Sequence, residues 1–196
     1  MQIHILDYLK EKQKTEKDLR HKDEQIGQLS IETYKDALTG VGNKAAYLKR
    51  VSEMNRRQET ESTEYAIVMV DINNLKMIND EHGHRAGDQY IKGCCHMICE
   101  TFKHSPVYRI GGDEFTAILQ DSDYGNRMQL CEQLRAAYTR TCEQSDVSPW
   151  LRYSAAVGMA EKSADDNSVE LVFRRADEAM YRDKARIKKQ YGHQPR

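Results

Sequence analysis

The chain predicts a mixed α/β domain, a central sheet covered by helices, and three observations carry that expectation. Tyr65-Ala66-Ile67-Val68-Met69-Val70 is a continuous apolar run of strand length, the pattern of a strand buried on both faces. Residues 107–119 set two short β-branched and aromatic runs around Gly111-Gly112-Asp113-Glu114, which reads as a β-hairpin whose bend draws on the conformational freedom of glycine. Ile91, Cys94, Cys95, Ile98, Cys99 and Phe102 recur at i, i+3, i+4, i+7, i+8 and i+11, one face of an amphipathic helix.

The other elements follow in order. Residues 1–35 are polar and helix-favouring, a helical stalk or coiled-coil segment. Leu19, Ile26 and Leu29 fit a heptad seam that Lys12, Thr15 and Lys22 interrupt. A lone helix of that length, about 50 Å, cannot bury its stripe against itself, so it is expected to pair with a second copy or to pack on the domain. Gly40 and Gly42 break the helix and Asn43 is placed to cap the next one, whose inner face is marked by Tyr47, Leu48, Val51 and Met54. A charged connector, 55–64, leads to the apolar strand, which ends at Asp71. Residues 72–88 read as a long polar loop before the cysteine-bearing helix.

Beyond the hairpin, Tyr124, Met128, Cys131, Leu134 and Tyr138 outline one helix. Leu151, Tyr153, Ala155, Val157 and Met159 alternate with Arg152, Ser154 and Ala156 as a half-buried strand. A final helix begins within 165–168, turns Val172, Ala176, Ala179 and Met180 inward, and ends in a basic stretch, 182–189. The domain is expected over 36–190, with 191–196 a tail.

Composition narrows the function classes. The 196 residues are 39% hydrophobic and 31% charged with a formal net charge of -1, which offers no basic footprint for nucleic acid. No apolar run approaches bilayer length and the N-terminus lacks an export signal, so the expected location is cytoplasmic. Five cysteines, an odd number with no Cys-x-x-Cys pair, suggest buried free thiols, not a disulfide framework or a zinc site, and His96 among them reads as structural.

Two acidic places remain. Asp71 ends the apolar strand, where sheets of this kind open onto a crevice, and Asp113 with Glu114 stands at the hairpin bend beside glycines that let an anion approach the main chain. Carboxylates so placed suit a hard divalent cation. Alone, Gly-Gly-Asp-Glu is equally a tight turn with two solvated acids; the second site upstream is what favours chemistry.

Four blocks in order, Asp36-x-Leu-Thr-Gly-x-x-Asn43, Asp71-Ile-Asn-Asn-Leu-Lys76-x-x-Asn79-Asp80-x-x-Gly83-His84-x-x-Gly87-Asp88, Arg109-Ile-Gly-Gly-Asp-Glu-Phe115 and Ala176-Asp177-x-Ala179-Met-Tyr181-x-x-Lys184, resemble the GGDEF-domain diguanylate cyclases over about 36–189. The resemblance implies a palm-like α+β fold related to nucleotidyl cyclases and ferredoxin-like proteins, with a mostly antiparallel sheet. It also implies a homodimer in which each subunit presents one GTP and the two jointly form cyclic di-GMP and pyrophosphate, with two Mg2+ or Mn2+ ions per active site. By the same carry-over Asp71, the Ile72 carbonyl, Asp113 and Glu114 hold metal, and Asp113 is general base or metal ligand, roles hard to separate. Lys76 stabilises phosphoryl charge. Asn79, His84 and Asp88 contact the nucleotide, Asn79 and Asp88 at guanine. The Asn74 and Leu75 N–H groups, with Lys184 and Lys188, meet the phosphates.

The chain departs from the family pattern in places. Asn73 stands for a common acid, Leu75 for an aromatic, and Ile187-Lys188-Lys189 for a Gly-Arg-Asn, so that Lys188 offers a point charge in place of a planar fork. Phe102 and Ser105 occupy the positions of an Arg-x-x-Asp product-inhibition motif, so inhibition through that site is not expected. The polar leader resembles a stalk, as at the output end of a longer protein with an upstream sensor domain, and a native start at Met1 is an equal alternative. Rival readings are a catalytically silent GTP-sensing or protein-interaction domain, which the intact Asp71, Lys76, Asp113 and Glu114 oppose, and a cyclase with relaxed base choice, which Asp88 opposes.

Overall fold

The computed structural model describes residues 33–58 and 64–191, and the fold below is that of the unit Asp36–Arg196. The stalk expected over 1–35 and the tail at 191–196 lie almost wholly outside the described residues.

The elements are β1 (Gly42–Asn43), α1 (Lys44–Gln58), β2 (Ala66–Ile72), α2 (Leu75–His82), α3 (His84–Thr101), β3 (Val107–Arg109), β4 (Glu114–Leu119), α4 (Asp121–Gly125), α5 (Arg127–Cys142), a 3-10 turn (Pro149–Leu151), β5 (Ala155–Glu161) and α6 (Val169–Tyr191). They build one five-stranded sheet in the order β1-β3-β4-β2-β5, in which β1 and β3 run parallel and every other pair is antiparallel. Helices cover both faces. This is the mostly antiparallel, palm-like α+β arrangement the sequence led us to expect.

All seven residues of β2 are buried, as its unbroken apolar run requires. Because side chains alternate along a strand, Val68, Val70 and Ile72 pack with Tyr90, Ile91, Cys94, Ile98, Leu134 and Tyr138 beneath α3 and α5. Ile67 and Met69 point the other way and pack with Tyr47, Val51, Met54, Val172 and Ala176 beneath α1 and α6. Asp71 continues this second set and so faces α6. The Asn43 side chain accepts the Ala46 N–H at 3.0 Å, the expected cap of α1.

Several expectations are corrected. The supposed loop 72–88 contains α2, separated from α3 by Gly83 at φ 81, a left-handed value that favours glycine. The helix expected beyond the hairpin is two, α4 and α5, broken at Asn126. The strand expected from Leu151 begins at Ala155, and it is buried on both faces through Gly158. Leu48 is 56% exposed and belongs to the outer face of α1. Neither Gly111 nor Gly112 has positive φ. At Gly111 a β-carbon would instead meet the Glu114 carboxylate, which would have to swing aside.

The outer edge of β5 is occupied by side chains. Asp183 accepts the Val157 N–H at 2.9 Å, Arg135 donates to the Val157 carbonyl at 2.8 Å, and Arg175 donates to the Glu161 carbonyl at 2.8 Å. Arg175 also grips the buried Asp166 with two bonds of 2.5 and 2.6 Å, while the Ser163 N–H adds one of 2.7 Å.

The Arg175 guanidinium therefore holds the Asp166 carboxyl well below its ordinary value of 3.8. A lowered folded-state value means that the unfolded chain takes up the proton first, so this contribution is complete above the ordinary value and is lost as pH falls through the folded one. Urea midpoints of the wild type are expected to fall between about pH 5 and about pH 2, and those of Asp166→Asn, lower at neutral pH, to fall less over that range.

Candidate active site

Register brings the two acidic places together. Asp71 of β2 lies directly opposite Glu114 of β4, which puts both side chains on the sheet face that α6 covers. One residue on, the Ile72 N–H donates to the Asp113 carbonyl at 2.9 Å, so the end of the buried strand is tied to the hairpin bend. Arg109 fixes that bend from behind. Its Nη2 donates to the Gly112 carbonyl at 2.6 Å, and its Nη1 reaches Asp36 Oδ1 at 3.2 Å. Burial alone would raise the Asp36 carboxyl; hydrogen bonds from Thr39 and Arg109 bring it below its ordinary value.

Asp71 is 7% exposed. Burial raises its carboxyl above the ordinary value, with the negative charges of Asp113 and Asp177 adding to the rise and Lys184 opposing it. Lys184 Nζ stands 2.7 Å from Asp71 Oδ1.

Beside Asp71, which is not itself on the lining but binds the Lys184 that is, opens a cleft of about 470 Å³. Ile72, Asn74, Leu75 and Lys76 line one side, Asp113 the bend, and Lys184 and Lys188 the side of α6. Asn74, at φ 62, turns the chain left-handed into α2, and no side chain caps that helix. The first N–H groups of α2 are thereby left for an anion at the positive end of the helix dipole. Asn73 anchors the loop: its N–H donates to the Ser154 carbonyl at 2.9 Å and its Nδ2 to Ser154 Oγ at 3.0 Å. Of the expected site residues, then, Asp71, Ile72, Asn74, Leu75, Lys76, Asp113, Lys184 and Lys188 gather at or beside one cleft.

Glu114 leans back over Gly111 and is not on the lining. Asn79, His84 and Asp88 are also off it, at the corner where α2 meets α3; His84 and Asp88 are exposed. Asn79 packs its amide against Gly87, where any β-carbon would collide with it, and its Oδ1 is buried without a hydrogen-bond partner. An acceptor so enclosed and unused has a vacancy for a donor.

Sequence reasoning assigned no role to Ser154, Cys142 or the Asp36–Arg109 clamp, all of which build or line the site. Asp36 and Arg109 were visible within the motifs, but nothing local links residues 73 positions apart. Phe102 is 1% exposed and the Ser105 hydroxyl is enclosed, so no charged pair stands at those two positions.

Among the described residues no group of three His, Cys, Asp or Glu side chains is assembled for a metal. The donors nearest one another, the Asp71 and Asp113 carboxylates, are oxygen. They fit Mg2+ or Mn2+, which commonly takes one or two carboxylates and completes its shell with water and substrate phosphate. No helix among the described residues is long and apolar enough to cross a membrane.

Comparison with known proteins places the chain. The family described as diguanylate cyclase, GGDEF domain, matches residues 33–190. Diguanylate cyclase DgcS of Shewanella oneidensis is 28% identical over 162 residues, covering 82% of this chain and 53% of its own length. An uncharacterised membrane protein of Staphylococcus aureus is 24% identical over 166 residues, 84% of this chain and 47% of its own. The chain thus spans about half the length of these curated relatives. Among solved structures, the coiled coil and GGDEF domain of DgcB from Caulobacter crescentus, in complex with c-di-GMP, superposes with a TM-score of 0.76 over 87% of this chain and 91% of that one; at 23% identity this speaks to fold. Diguanylate cyclase SiaD from Pseudomonas aeruginosa, in complex with its activator SiaC, gives a TM-score of 0.67 at 25% identity over 91% of this chain and 71% of that one. On the match of its own residues 33–190, the chain belongs to the GGDEF domain family.

Proposed function

We propose that the protein is a diguanylate cyclase, condensing two GTP into cyclic di-GMP and pyrophosphate at a site completed by a second copy of the chain. The observation that carries this reading is the junction of the β2 end with the hairpin bend, where Asp71 lies opposite Glu114 in register and the main chain of Asp113 is tied to Ile72, beside a cleft edged with lysines. Two divalent ions held by Asp71, Asp113, Glu114 and the Ile72 carbonyl would stabilise the attacking and leaving oxygens of the phosphoryl transfer.

The chain's own groups do the remaining work. Lys76 and Lys188, with the uncapped N–H groups of α2, hold the triphosphate in line. Asp113 receives the proton of the attacking sugar hydroxyl or, as a ligand, orients it. At the α2–α3 corner Asn79 Oδ1 accepts from the guanine exocyclic amine, and Asp88 accepts from the ring N–H and the same amine, a pairing adenine does not offer. One subunit carries one nucleotide, and the attacking hydroxyl belongs to the other subunit's nucleotide, so pairing of two domains sets the rate. The N-terminal segment is the element we assign to that pairing.

The test is incubation with GTP, ATP or both, plus Mg2+ or Mn2+, and chromatography of the products. Pyrophosphate with cyclic di-GMP is the expected result. Nucleotide binding without turnover would instead identify a silent GTP-sensing module, and mixed dinucleotides a cyclase of relaxed base choice. Gly87→Ala separates base reading from folding. Its methyl must displace the Asn79 amide while favouring the α3 helix, so GTP affinity is expected to drop roughly tenfold, about 1.4 kcal/mol, with a thermal midpoint no lower than wild type.

A further inference from the structure

Asp71 makes an unusual demand on its surroundings. Its carboxylate is almost out of solvent, on the sheet face covered by α6, with the negative charges of Asp113 and Asp177 close enough to be felt. A buried carboxylate in such company requires a cation. Lys184 supplies it at 2.7 Å, from a side chain that is itself 44% exposed at the cleft edge. The ammonium is on a flexible stem and binds as a point charge, so it can leave.

We propose that Lys184 is an exchangeable internal cation that couples divalent-metal entry to triphosphate arrival: it neutralises Asp71 in the nucleotide-free protein and moves to the phosphates when metal takes its place. This rests on the reading of Asp71 as a metal ligand and of the cleft as the triphosphate site. A metal ion and an ammonium cannot share Asp71 without repulsion. Metal arriving alone must therefore evict Lys184 into a rim already bearing Lys188 and the positive end of α2, where the nearby Asp113 and Asp177 offset the repulsion less than a triphosphate would. A triphosphate arriving alone brings negative charge up to Asp71 and finds Lys184 engaged. Arriving together, each supplies what the other displaces, so the two ligands bind synergistically, and by linkage the enhancement is the same in either direction.

The experiment titrates the full chain with Mn2+, following free Mn2+ by electron paramagnetic resonance, with and without a GTP analogue carrying a methylene bridge between the α- and β-phosphorus. Wild type is expected to bind Mn2+ weakly alone and roughly tenfold or more tightly with the analogue. Lys184→Met should tighten Mn2+ binding without nucleotide by roughly three- to tenfold, and the enhancement by the analogue should shrink by a similar factor. Lys184→Arg, which keeps the charge, should retain the wild-type pattern. Thermal melts of each variant, and Lys184→Gln as a second neutral replacement, exclude a folding defect. Equal or weaker Mn2+ binding by folded Lys184→Met and Lys184→Gln overturns the exchange and leaves the site assignment standing. Failure of the wild type to take up Mn2+ even with the analogue overturns both.

Discussion

Asp113→Asn is expected to reduce cyclic di-GMP formation by roughly 10²–10⁴-fold while leaving the domain folded. The substitution keeps the shape of the side chain and touches none of the bonds that fix the bend. The Asp113 carbonyl still accepts the Ile72 N–H, and Arg109 still holds the Gly112 carbonyl. What disappears is the negative oxygen facing the cleft, and with it both roles open to Asp113, proton acceptor and cation ligand. Chromatography of the products from GTP and Mg2+, with a thermal melt of the same sample, checks both halves. A variant that retains more than about a tenth of wild-type turnover would remove Asp113 from the chemistry.

Gly158→Ala should be among the most damaging single-atom changes to the fold. β5 and α6 approach so closely at this point that a β-carbon on Gly158 would lie 2.5 Å from the Met180 α-carbon, and closer still to other backbone atoms of the helix. Backbone cannot rotate away as a side chain can, so the helix must shift or the strand must detach. Overpacking of this kind costs about 3 kcal/mol. The same displacement carries Asp183 away from Val157 and Lys184 away from Asp71, so activity should fall with stability. Urea unfolding of the variant beside wild type measures the loss; a midpoint within experimental error of wild type would mean that the sheet–helix contact is looser than described.

Whether an element could be read in advance depended on whether its physics was local. β2 was legible because a strand enclosed on both sides is written as an uninterrupted apolar run, and α3 because its periodic residues, continued by Phe102 at its end, share a face. α2 was not, since its only buried residue is Ile78 and one apolar contact makes no period. Leu151 and Tyr153 continue the alternation of β5 in sequence, yet Pro149 opens a 3-10 turn there and the strand starts later. The bend glycines were expected for an unusual backbone angle that neither has; at Gly111 a β-carbon would meet the Glu114 carboxylate, while Gly112 has open space around it. Within the candidate site the motif residues were legible as a set. The loop anchor from Asn73 to Ser154 spans 81 positions and exists only once β5 lies beside β2.

The occupied rim of β5 limits how two such domains can meet. Its Val157 amide and carbonyl and its Glu161 carbonyl already have partners from the chain's own helices, and the opposite border of the sheet is the two-residue β1. At those positions a neighbouring subunit finds the main chain already engaged, which works against joining by strand addition there and against the fibrous stacking that open borders invite. Any such assembly is left to helix surfaces and loops, contacts that can form and separate without unravelling either partner.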